Sequence, residues 1–264
     1  MILAIDIGNT NIVIGCIDNE KILFNERVST DHRATDLEYA IQLKNIFEIH
    51  HTDLSRIEGA VMSSVVPSIT GIFKRAIKKL VHTDPIIVGP GIKTGLRIMT
   101  DNPVQLGSDL VVDAVAGINF YKLPLIIIDM GTATTMSVVD KDCNYLGTAI
   151  IPGMRTSLDA LVSGAAQLPK VYLEKPKRVI GTNSTECMMN GIMHFTASGI
   201  DGMIERIEEE LGYKCTVLAT GGLSEIIVPL CKKQIIYDDD LLLKGLMIIY
   251  NKNKERIDNH EKRI

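Results

Sequence analysis

The chain has 264 residues, 46% of them hydrophobic, and a formal charge of −4 from 28 basic and 32 acidic side chains. Its length is that of one large domain or two of about 130 residues, since domains run to roughly 100–200 residues. A mild acidic balance reads as ordinary solubility and argues against nucleic acid or a membrane surface as a partner.

In chain order, ILAID (2–6), NIVIGCID (11–18) and KILFNERVS (21–29) predict three short strands, rich in β-branched residues and split by GNT and DNEK turns. Residues 35–51 carry helical spacing, with Leu37, Ala40, Ile41, Leu43, Ile46 and Phe47 largely on one face. EGAVMSSV (58–65) predicts a strand, 68–81 a helix and PIIVG (85–89) a strand. After a loop over 100–107, SDLVVDAVAGINFY (108–121) predicts a helix with a polar start.

The pattern then restarts. LPLIIID (123–129), TTMSVVD (134–140) and NYLGTAII (144–151) predict three strands, again with an acidic turn, DKDC, between the second and third. Helices follow over 154–165 and 185–211, then strand CTVLAT (215–220), helix GLSEIIVPLC (222–231), strand QIIYD (234–238) and a last helix over 240–257. NHEKRI (259–264) predicts a solvated tail. Each half reads β-β-β-α-β-α-β-α, an internal duplication seen in the order of elements. The seam near residues 121–124 divides the chain into halves 1–121 and 122–264. Strands interleaved with helices give α/β layers, with a ligand expected in a cleft between the halves.

The same turn heads each half. In Asp6-Ile7-Gly8-Asn9-Thr10-Asn11, Gly8 permits a sharp turn and close approach to a ligand. Asn9, Thr10, Asn11 and the turn amides are donors suited to phosphate. Asp6 cannot touch phosphate directly and would act through Mg²⁺ or water. Asp129-Met130-Gly131-Thr132-Ala133-Thr134-Thr135 supplies the same parts. One such turn is an ordinary Asp–Gly hairpin. Two, each at the head of a β-β-β unit, point to a polyphosphate held from both sides. A third glycine site, Gly221-Gly222 between strand CTVLAT and the next helix, suits contact with a nucleoside or is a plain strand-to-helix turn. GPGIKTG (89–95) only resembles a P-loop, because Ile92 stands where its glycine belongs.

The cysteines, Cys16, Cys143, Cys187, Cys215 and Cys231, form no C-x-x-C pair and read as reduced, mostly buried thiols. The six histidines do not cluster with them at zinc spacing, and His50-His51 reads as structural or solvated. The start of the chain runs straight into a strand with an acid at position 6, unlike a secretory leader. The longest apolar runs fall far below the roughly 20 residues of a membrane span. A cytoplasmic protein is expected.

DIGNTN, the DNP-x-x-x-G-x-D segment at 101–109, DMGTATT, IIPGMRTSLDAL with AAQLP behind it, and ATGG resemble the actin-like ATPase and sugar-kinase superfamily, and within it type III pantothenate kinase. The resemblance runs from about residue 2 to 250. It implies an α/β fold of duplicated actin-like, ribonuclease H-like halves with a nucleotide cleft between them. It implies transfer of phosphate from ATP with Mg²⁺ to the primary hydroxyl of pantothenate, the first step of coenzyme A synthesis. A homodimer and a monovalent cation, K⁺ or NH₄⁺, are also implied. The family's catalytic acid falls on Asp109; without the family, Asp109 reads equally as a first-turn helix residue favoured by the dipole. Asp129 falls on the cation position, Thr132 on a phosphate contact, and Gly107, Ser108 and Asp109 on the acceptor side. The family's hydroxyl near the long second-half helix falls on Ser184, which also reads as a helix N-cap.

Two positions depart from the family. Leu110 stands where it has Arg, and Thr100 where it has Tyr, both toward pantothenate. These departures leave acceptor affinity and identity open, with Arg97 a substitute donor. Alternative readings are an ATP-binding paralogue acting as a regulator, and a kinase for another small alcohol. In helix 185–211, Cys187, Met188, Met189, Ile192, Met193, Phe195 and Ile200 wrap more than the roughly 100° stripe of a surface helix. One face is expected inside the subunit and another against a second copy.

Overall fold

The structure is a computed structural model and describes residues 1–165, 168–169 and 171–261. The chain opens with an antiparallel meander of β1 (Ile2–Ile7), β2 (Asn11–Asp18) and β3 (Lys21–Ser29). Helix α1 (Asp36–Ile49) follows, its start fixed by a capping box: Thr35 accepts from the Glu38 amide while Glu38 reaches back to Thr35. Then come β4 (Gly59–Ser64), α2 (Pro67–Val81), β5 (Ile86–Ile87), β6 (Arg97–Ile98) and α3 (Ser108–Phe120). The second meander is β7 (Leu125–Met130), β8 (Ala133–Val139) and β9 (Asn144–Pro152). It is followed by α4 (Met154–Gly164), α5 (Ser184–Leu211), β10 (Thr216–Thr220), α6 (Ser224–Ile227), β11 (Ile236–Tyr237) and α7 (Leu241–Glu261).

The duplication is visible in the sheets. One runs β3-β2-β1-β4-β5. The other runs β11-β10-β7-β8-β9-β6, which is the same order once β6 is removed from its edge. Each meander is antiparallel, and the strands after it pair parallel to its first strand. Even the irregularity repeats: the register shifts at Cys16/Ile17 in β2 and at Val138/Val139 in β8, the same place along each strand.

Packing groups the residues into two units. One holds Met1–Leu96, Asp101–Asn119 and the chain from Asp240 onward; the other holds Arg97–Thr100 and Phe120–Asp239. This grouping by contact differs from the repeat boundary at 121/122. Helix α7 packs in the first unit because Leu243 lies over Gly15 and Tyr250 over Gly59, where any Cβ would collide with them.

Side-chain alternation sorts each sheet into two faces. In the first unit Leu3, Ile5 and Ile7 join Leu43, Phe47, Ile69 and Phe73 of α1 and α2 in one core. Asp6, out of phase with them, points to the other face. In the second, Ile126, Ile128 and Met130 pack with Met154 of α4 and with Met193, Ala197, Ile200 and Ile204 of α5. Asp129 is out of phase there in the same way.

Several expectations need correction. On α1 the buried stripe is Tyr39, Ala40, Leu43, Ile46 and Phe47, while Leu37 and Ile41 are exposed. The two helices expected after the second meander are present as α4 and α5, so the second half carries one helix more than the order β-β-β-α-β-α-β-α gives it. The two-residue β6 lay inside a stretch without strand signal; its pairing with β9 defines it. The helix expected over 222–231 stops at Ile227 and continues as a 3₁₀ turn, Val228–Leu230, where Pro229 lacks an amide donor. Only Cys16 of the five free cysteines is buried, and Cys187 is exposed. Residues 259–261 continue α7, while 262–264 of the expected tail, like Ala166 and Gln167 of AAQLP, lie outside the described residues. His50 caps α1, stacks on Phe24 and meets Glu26 at 2.8 Å, a structural role. The GPGIKTG connection is held to α7 by Asn253, which bonds both the N–H and C=O of Lys93.

Candidate active site

In the first unit the site begins at the end of β1. Asp6 is the fifth residue of the strand, 8% exposed, flanked in the ladders by Val13 of β2 and Ser63 of β4. The β1–β2 turn follows, with Asn9, Thr10 and Asn11 exposed. Gly8 donates its N–H to Asn11 O at 3.0 Å and closes the turn.

From Asp6 the ladder leads to α3. Ser63 donates its hydroxyl to Ser108 Oγ at 2.8 Å. Ser108 Oγ also accepts the Ser64 N–H at 3.1 Å and donates to Ser64 O at 3.1 Å. This anchors the start of α3 beside the strand that flanks Asp6, and Asp109 follows in the helix's first turn. Asp109 Oδ1 accepts the Leu110 N–H at 2.9 Å. Burial pushes its carboxyl above the usual carboxylate range, against the lowering effect of its backbone hydrogen bonds. Its carboxylate lies against Gly107, where a Cβ would collide with Oδ1.

The second unit repeats the frame. Asp129 is again the fifth residue of its first strand, flanked by Thr135 of β8 and Thr220 of β10. Gly131 and Thr132 form the exposed turn. Gly221 sits at φ +90° against Asp129, and a Cβ there would strike Asp129 Oδ1 and the Met130 backbone. Gly222 is exposed beside it. Thr135 departs from the first unit, whose matching residue is Val13. Its Oγ1 is buried and has no hydrogen-bond partner among the described residues.

The fold thus gathers Asp6, Gly8, Asn9, Thr10, Asn11, Gly107, Ser108 and Asp109 in one unit, and Asp129, Gly131, Thr132, Gly221 and Gly222 in the other. Leu110 is 8% exposed, one of the buried residues of α3. Thr100 belongs to the second unit, and its buried Oγ1 has no partner among the described residues. Ser184 is the exposed first residue of α5; the cap is Asn183, whose Oδ1 accepts the Glu186 N–H at 3.0 Å. The expectation that Ser184 caps the helix is corrected, since Asn183 has the extended backbone a cap requires. Sequence reasoning missed Ser63 and Ser64, and gave Thr135 only as the last residue of the second turn. The signal for Ser63 was present: a hydroxyl residue at the end of EGAVMSS, where a strand beside Asp6 would end.

The profile of the family described as type III pantothenate kinase matches residues 2–206. A relative of that description from Halalkalibacterium halodurans is 40% identical over 253 residues, covering 96% of this chain and 100% of its own. Another, from Bacillus cytotoxicus, is 40% identical over 262 residues, covering 99% of each. Among solved structures, the activator of 2-hydroxyisocaproyl-CoA dehydratase from Clostridium difficile, with bound ADPNP, aligns at TM-score 0.56 and 13% identity. It covers 98% of this chain and 97% of its own. At that identity the likeness is one of fold, the actin-like α/β duplication.

Proposed function

Because this chain belongs to the type III pantothenate kinase family, we propose that it transfers the γ-phosphoryl group of ATP to the primary hydroxyl of pantothenate, the first step of coenzyme A synthesis. The observation that carries the mechanism is Asp109: a carboxylate in the first turn of α3, made more basic by burial. As the pantothenate oxygen attacks the γ-phosphorus, Asp109 takes the hydroxyl proton and the bond to the ADP oxygen breaks. Phosphoryl transfer needs positioning, charge stabilisation and a proton acceptor. Asn9, Thr10, Asn11 and Thr132 are the donors for the phosphates, and Asp6 would act through water or the magnesium ion carried by ATP. Gly221 and Gly222 let the nucleoside lie against the backbone. The deciding experiment is incubation with Mg²⁺–ATP, K⁺ and pantothenate, reading phosphopantothenate by mass. Its absence from an active-temperature preparation that still binds ATP would favour a regulatory paralogue.

Asp129 is the residue for a monovalent cation, K⁺ or NH₄⁺. The donor chemistry fits: a Thr135 hydroxyl with no partner among the described residues shares its ladder position, whereas Asp6 has Val13 in the equivalent place. Such an ion would supply positive charge to offset that of the phosphates.

The subunit is further read as one of a homodimer joined through α5. Phe195 on that helix is 81% exposed, with Val179 and Ile180 exposed just before it. The halves 1–121 and 122–264 are read as repeats of one ancestral unit, on the strength of their matching strand order. The free thiols suit the cytoplasm. Among the described residues no helix is long and apolar enough to cross a membrane.

A further inference from the structure

Both phosphate turns are tied back by a threonine outside the turn itself, Thr30 in one unit and Thr156, within IIPGMRTSLDAL, in the other. In the first unit Thr30, just past β3, donates its N–H to Thr10 O at 3.0 Å. Its Oγ1 donates to Gly8 O at 2.7 Å. In the second unit the Gly153 N–H donates to Thr132 O at 3.1 Å. Thr156 Oγ1, in the first turn of α4, donates to the same oxygen at 2.8 Å. The supporting elements differ, a strand end in one unit and a helix start in the other. The contacts match: one backbone amide and one threonine hydroxyl, both spent on turn carbonyls.

A trans peptide is planar, with its N–H directed opposite to its C=O. Gly8 O shares its peptide with the Asn9 N–H, Thr10 O with the Asn11 N–H, and Thr132 O with the Ala133 N–H. Drawing these oxygens toward Thr30 and Thr156 turns the three amides the other way. A turn whose carbonyls faced the ligand would repel phosphate; one whose amides face it is an anion nest.

We propose that Thr30 and Thr156 are positioning residues for ATP: their hydroxyls hold the turn carbonyls away from the phosphates and so present the amides of Asn9, Asn11 and Ala133 to them. This rests on the reading that the turns bind the phosphates of ATP. The hydroxyls touch neither substrate nor reacting atom. Their contribution therefore falls on nucleotide binding, through peptide orientation, and not on the acceptor.

The test uses the full chain with Thr30→Val, Thr30→Ser, Thr156→Val and Thr156→Ser. Valine keeps the shape and removes the hydroxyl; serine keeps the hydroxyl. Each valine variant is expected to raise the ATP KM and the directly measured Kd for Mg²⁺–ATP about tenfold. The pantothenate KM should stay within twofold, and each serine variant should recover most of the loss. Valine variants that bind ATP as tightly as the parent, or serine variants as impaired as valine, would overturn the inference. If Thr30→Val does not fold, the exposed Thr156→Val and its serine counterpart decide the matter by the same measures. Failure of the parent protein to bind Mg²⁺–ATP would instead remove the reading of the turns themselves.

Discussion

Ser63, in the strand beside Asp6, donates its hydroxyl to Ser108, the first residue of α3, at 2.8 Å. Ser63 is fully buried and Ser108 half-buried, so the bond is partly shielded from water. It fixes where α3 begins, and hence where Asp109 stands relative to the strand ends. Replacing Ser108 by Ala leaves the Ser63 hydroxyl and the Ser64 amide without that acceptor. An orphaned buried polar group costs about 1–3 kcal/mol. Ser108→Ala should lose stability of that size in urea unfolding and lower kcat more than it weakens ATP binding. Unchanged stability and turnover would show that α3 is anchored by other contacts.

Asp109 should govern the acid limb of the pH–rate profile. A general base works when ionised, so activity is present above its pKa and lost as pH falls through it. Because burial raises that pKa, the acid limb of kcat/KM should lie above the ordinary Asp value of about 3.9. Asp109→Asn should lose about 10²–10⁴-fold in kcat, keep ATP affinity and flatten that limb. Turnover close to the parent would remove Asp109 from proton transfer.

Thr100 offers a two-sided test of the acceptor pocket. Its buried hydroxyl lacks a partner among the described residues, a state that a hydrogen bond to pantothenate would relieve. A neutral hydrogen bond is worth about 0.5–1.5 kcal/mol, or up to about tenfold in affinity. Thr100→Val should therefore raise the pantothenate KM several-fold at constant ATP KM. If instead the variant gains thermal stability and keeps its KM, the hydroxyl does not serve the acceptor. The buried Leu110 is a poorer place to restore the family's arginine, because a charge there would be desolvated.

Phe195 tests the proposed dimer. At 81% exposure it is a large aromatic on a helix whose buried stripe runs through Met188, Met193, Ala197, Ile200 and Ile204. Phe195→Glu should shift the mass from dimer to monomer at micromolar concentration in light scattering, with little change in the subunit's circular dichroism. A monomeric parent protein would end the argument for an α5 interface.

The residues themselves determined the repeat. Continuous apolar runs in ILAID and LPLIIID, acid–glycine turns after each, and helical spacing between later strands are local properties. Local propensity and side-chain period are enough to declare them. The same is true of Asp6, Asp129 and the glycines, whose chemistry is written in the motif. Tertiary structure decided what depends on partners distant in sequence. The two residues of β6 are a strand only because β9 lies alongside. The buried face of α1 runs through Tyr39 and not Leu37 because the sheet beneath sets its rotation. Helix α7 packs in the first unit because Gly15 and Gly59 leave room for Leu243 and Tyr250. The support of the site, Ser63 on Ser108, Thr30 on Gly8 and Thr156 on Thr132, was equally hidden. A serine or threonine hydroxyl makes its bond wherever folding brings an acceptor, and sequence spacing does not record that.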